Sequence, residues 1–69
     1  MKVIDLHGIK HEDVDNIIID ACSKYETPFI IITGNSNKMK LIVETIVNKF
    51  ELRIRDSLRN SGRVVVDEV

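Results

Sequence analysis

Between residues 29 and 32 the chain reads Phe-Ile-Ile-Ile, an unbroken apolar run flanked on both sides by stretches of helical patterning. A run this short and continuous is expected of a strand covered on both faces or central in a sheet. The rest of the chain must be arranged around it. On its N-terminal side, from about Glu12 to Tyr25, apolar residues fall at Val14, Ile17, Ile18, Ala21, Cys22 and Tyr25. That spacing is the buried stripe of an amphipathic helix. Glu12 and Asp13 suit the first turn of that helix, where carboxylates meet the positive end of its dipole. On its C-terminal side, Met39, Ile42, Val43, Ile46 and Phe50 repeat the stripe over Lys38–Phe50, with Lys40, Glu44 and Lys49 facing water.

Three further segments are short and extended. Lys2–Leu6 reads as a strand, and Leu52–Arg55 alternates with period two and places its arginines on one face. After a loop at Arg59-Asn60-Ser61-Gly62, the valine-rich Arg63–Val69 closes the chain as a last strand. The predicted order is βαβαββ. Strands joined through helices are parallel, and the last two form an antiparallel hairpin. The expected architecture is an α/β (α+β) two-layer sandwich, a four-stranded mixed sheet with both helices on one face.

With 69 residues the chain is one domain, 1–69. Its net charge of −1 argues against a strongly basic nucleic-acid binder while leaving room for local patches. The single cysteine permits no internal disulfide and fits a reducing compartment. Cys22 lies on the apolar stripe of the first helix and reads as a core residue. The first apolar run is too short for a signal peptide and nothing is long enough to span a membrane, so the expected location is the cytoplasm.

Chemistry concentrates at two strand ends. Asp5-Leu6-His7-Gly8 terminates the first strand, and side-chain alternation sends Asp5 and His7 to one side and Leu6 to the other. Gly8 lets the backbone turn away. After the second strand, Thr33-Gly34-Asn35-Ser36-Asn37 leads into a helix N-terminus, where free N–H groups favour an anion. Lys38 and Lys40 sit in that first turn, where the dipole disfavours cations unless an anion is held there. If the two strands are parallel neighbours, both motifs share the carboxyl edge, where open α/β sheets bind ligands. The plainer reading has Asp5 capping its own turn, His7 half-buried and the arginines 53, 55, 59 and 63 simply solvated. No residues have convincing metal-ligand spacing.

Taken together, VIDLHG, a helix, IITGNSNKMK, a second helix and a glycine-bearing final hairpin resemble a small MutS-related (Smr) domain over essentially the whole chain. Asp5-Leu6-His7-Gly8 matches the family's Asp-x-His strand end, and Thr33-Gly34-Asn35-Ser36 matches its Thr-Gly-x-Gly turn. Ser36 stands in place of the second glycine, and Asn60-Ser61-Gly62-Arg63 is poorer in glycine than the final loop of many relatives. The resemblance implies a fold similar to the C-terminal domain of bacterial translation initiation factor three. It also implies nucleic-acid binding, often with endonuclease activity on DNA or RNA.

On that footing His7 is expected to move a proton. Asp5 is expected to orient the imidazole or to hold a divalent cation such as Mg or Mn. Gly8, beside them, is expected to belong to the phosphate-binding set. Thr33, Gly34, Asn35, Ser36 and Asn37 are expected to grip phosphate together with Lys38 and Lys40, and Arg63 to add a positive contact. The alternatives are a non-catalytic nucleic-acid-binding module and a small protein-interaction domain.

Overall fold

The computed structural model describes the backbone of residues 1–57 and 60–69, and side chains outside residues 56–61. In chain order the elements are β1 (Val3–Asp5), α1 (His11–Lys24), β2 (Phe29–Ile32), α2 (Asn37–Lys49), β3 (Leu52–Ser57) and β4 (Asn60–Glu68). The strands form one mixed sheet in the order β1-β2-β4-β3. β1 runs parallel to β2, and β4 is antiparallel to both of its neighbours. The apolar run is therefore an inner strand, as its composition requires. The protein is a small α+β domain of two helices and a four-stranded mixed sheet.

A single core holds the layers together. Leu6, Phe29, Ile31, Val64 and Val66 meet Val14, Ile18 and Ala21 of α1 and Met39, Val43, Ile46 and Val47 of α2. Both helices thus lie on one face of the sheet. Alternation along β2 sends Phe29 and Ile31 into this core, while Ile30 and Ile32 point to the other face and are half-buried. Of the two readings of this run, covered on both faces or central in the sheet, the second is the one found. Helices cover one face, and adjoining strands shade the other.

Boundaries differ in small ways from the sequence reading. Both helices begin and end one residue earlier than their apolar stripes suggest, because polar residues at a first turn carry no periodicity signal. β1 is shorter than Lys2–Leu6, and β3 is longer than Leu52–Arg55. The larger correction concerns Asn60-Ser61-Gly62, which belongs to β4 and not to a loop. Turn-rich composition is overridden by pairing, since Asn60 is the register partner of Ser57 beyond an irregularity at Asp56/Ser57. Arg59, the first residue of the expected loop, lies outside the described residues. Among the described residues, no helix is long and apolar enough to cross a membrane.

Candidate phosphate-binding rim

The parallel pairing of β1 with β2 decides where the two motifs go. Asp5 is the register partner of Ile32, and the Leu6 N–H donates to the Ile32 carbonyl at 3.0 Å. The end of β1 and the start of the Thr33-Gly34 turn are therefore side by side at one rim. β4 joins them, because Ile32 is also the register partner of Arg63. Asp5, Ile32 and Arg63 form one row across three strands, which separates the outer two backbones by about 10 Å.

At the β1 end, Leu6 is buried while Asp5 and His7 are both exposed. The Asp5 carboxylate accepts a 2.8 Å hydrogen bond from the main-chain N–H of His7. The next turn closes through the Ile9 N–H on the Leu6 carbonyl at 3.0 Å, with Gly8 at φ 77°. Glycine adopts that conformation at little cost, whereas a Cβ disfavours it. Asp5 thus binds the backbone of this turn and not the imidazole, which makes no hydrogen bond with the described residues. The arrangement expected of an acid that orients a histidine ring is absent at this geometry. Asp5 fixes where the His7 backbone goes, and the ring is left to solvent.

The β2 end is built more firmly. The N–H groups of Thr33 and Gly34 converge on the Gly62 carbonyl at 2.8 and 2.9 Å. Thr33 is buried, and its hydroxyl donates to the Gly34 carbonyl at 3.0 Å and approaches that of Gly62 at 3.4 Å. Gly34 sits at φ 67° with nothing within 4 Å of where a Cβ would stand, so the position needs glycine for its backbone and not for space. Ser36 then caps α2, its hydroxyl accepting from the Met39 N–H at 3.1 Å. This explains a serine where the resemblance has glycine: it satisfies one of the helix's open donors.

These bonds engage two of the groups expected to grip phosphate. The Gly34 N–H is engaged by Gly62, and the Thr33 hydroxyl is turned inward, so neither faces an incoming anion. The main-chain N–H groups of Ser36, Asn37 and Lys38 do remain without a partner among the described residues. Lys38 is exposed, Lys40 is half-buried, and α2 has no acidic residue in its first turn. Asn35 is exposed on the turn between them. Across the rim, Arg63 is half-buried and forms no ion pair with the described residues, and its Nε–H is buried without an acceptor. The α2 end of the rim therefore offers three open N–H groups and two lysines, while Arg63 stands on β4 with its side chain on the sheet face away from the helices. These are the donors that hold a phosphate.

Gly62 is the residue that sequence reasoning passed over. Its carbonyl anchors the turn, and the only trace in the sequence is a glycine just before the last apolar run. A divalent cation finds little here. Among the described residues no three His, Cys, Asp or Glu side chains come together. The rim's carboxylate, Asp5, has one oxygen already engaged, which does not make a cation cage. A surface depression of about 470 Å³ is lined by Cys22, Tyr25, Glu26, Thr27, Leu52 and Glu68, towards the opposite end of the sheet. No family model, curated protein or solved structure matches the chain.

Proposed function

We propose that this chain is an Smr-like nucleic-acid-binding domain that hydrolyses phosphodiester bonds in DNA or RNA. The observation that carries the reading is that the strand end bearing Asp5 and His7, the turn leading into α2, and Arg63 lie side by side at one edge of the sheet. The open N–H groups of Ser36, Asn37 and Lys38 would hold a phosphate and offset charge that builds on its oxygens during attack. His7, exposed at the neighbouring strand end, would take the proton of an attacking hydroxyl or water, since imidazoles exchange protons around neutral pH. Asp5 would contribute mainly by fixing the turn that carries His7. No step is assigned to a metal ion.

One observation favours the alternative, a module that binds without cutting: the Asp5 carboxylate bonds the His7 main chain and leaves the ring unoriented. The two readings separate in one assay panel. Wild-type protein is incubated with labelled single-stranded and duplex DNA and RNA, in chelator and in added Mg or Mn. Strand scission that tracks the protein through purification supports the nuclease. Salt-dependent binding with no scission under any condition establishes the binding module in its place.

A further inference from the structure

The sheet has a second face that no helix covers. Register and alternation place Val3, Ile30, Ile32 and Val65 on it, with Asp5, Arg53, Arg55, Arg63 and Asp67 around them. Val3 is 48% exposed, and Ile30, Ile32 and Val65 are half-buried without belonging to the core cluster. Val3, Ile30 and Val65 stand in one row across three strands, so the apolar side chains form a continuous strip. The cations gather on its β4–β3 flank. Arg55 is held by Asp67 at 3.0 Å, whereas Arg53 and Arg63 have no carboxylate partner among the described residues.

We propose that this open face is the track for a single-stranded nucleic acid that enters at the rim, an inference that rests on the nucleic-acid reading above. Arg63 links the two surfaces: it follows Gly62, onto which the Thr33-Gly34 turn is docked, and it starts the line that continues through Arg55 and Arg53. Phosphates lie along the arginines and bases rest on Ile30, Ile32 and Val65. A duplex keeps its bases stacked inside and gains nothing from an aliphatic strip, so the strip selects for unpaired bases. The face holds no aromatic ring, which makes the contact shallow and tolerant of sequence.

Charge favours this occupant over a second copy. Among the described residues the face carries three arginines against two aspartates, one of them paired with Arg55, while the chain as a whole is at −1.

The test measures affinity of the full chain for labelled oligothymidylate, oligouridylate and a duplex of equal length, over a salt series. Arg53→Gln should weaken single-strand binding about two- to fivefold and make the log–log salt slope shallower by about 0.7. Val65→Thr should weaken it about threefold while leaving duplex binding unchanged. In the wild type, added oligothymidylate should shift the methyl resonances of Ile30 and Ile32, a readout that needs no variant to fold. Binding that Lys38→Glu weakens but Arg53→Gln and Val65→Thr leave alone, with those methyls unmoved, overturns the track and leaves the rim standing. Wild-type protein that binds none of the three probes overturns the track and the nucleic-acid reading together. A dimer in sedimentation that Val65→Thr dissociates assigns the face to a second copy and overturns the track as well.

Discussion

Gly34→Ala isolates a backbone requirement at the heart of the rim. The residue sits at φ 67°, and a Cβ built there meets nothing within 4 Å, so the substitution introduces no clash. What remains is the cost of holding a side-chain-bearing residue in the left-handed region, about 1–2 kcal/mol. For a domain of this size that corresponds to a fall in Tm of about 4–16 °C. Circular dichroism melts of wild type, Gly34→Ala and Gly34→Asn make the comparison. Asparagine visits the left-handed region more readily, so its loss should be the smaller of the two. If the alanine variant avoids the strain by moving the turn, the Thr33 and Gly34 bonds to the Gly62 carbonyl lengthen and α2's open N–H groups turn away. Phosphate affinity then falls further than the folded fraction accounts for. A Gly34→Ala protein that melts with wild type and binds oligonucleotide with wild-type affinity refutes the reasoning on both counts.

Other substitutions follow from the same geometry. Ser36→Ala removes the hydroxyl that accepts from the Met39 N–H and should cost about 1 kcal/mol in a denaturant titration, whereas Ser36→Gly should cost only a few tenths. Glu51, at φ 61° just after α2, is a non-glycine residue in the left-handed region, so Glu51→Gly should raise stability by up to about 1 kcal/mol in the same measurement. Burial pushes the Cys22 thiol above the ordinary thiol range. Stability gained by keeping that thiol neutral is complete below the ordinary range, where folded and unfolded thiols are both protonated, and is lost as pH climbs through the raised folded value. Tm should therefore fall on the alkaline side, and Cys22→Ala should flatten that limb.

Element type and order were legible in the sequence because the apolar residues of each segment obey one period. The stripe from Val14 to Tyr25 has the helical period, and Phe29–Ile32, short, continuous and bounded by Pro28 and Gly34, has the length and flanks of a strand central in a sheet or covered on both faces. The shared rim followed from parallel neighbours alone. What remained hidden was the fate of individual polar groups. Whether the Asp5 carboxylate meets an imidazole or a main-chain N–H is decided by one turn's dihedral angles, and both outcomes have the same sequence. The Gly34 N–H was lost to the Gly62 carbonyl for a similar reason: a contact between residues distant in the chain leaves no local pattern. Asn60-Ser61-Gly62 has the composition of a loop, yet strand pairing outweighs composition.

The most direct test of the central claim is the rate of phosphodiester cleavage by His7→Ala, measured with affinity and Tm on the same preparation. His7 is exposed and its ring makes no hydrogen bond with the described residues, so its removal should leave Tm unchanged. Oligonucleotide affinity should also hold, because in the proposed mode the phosphate would be carried by the α2 N–H groups and Lys38 and not by the imidazole. The cleavage rate should fall by about 10²–10⁴-fold, the usual contribution of a general base. Cleavage by His7→Ala at the wild-type rate, with affinity and melting also unchanged, would contradict the assignment of proton transfer to this histidine.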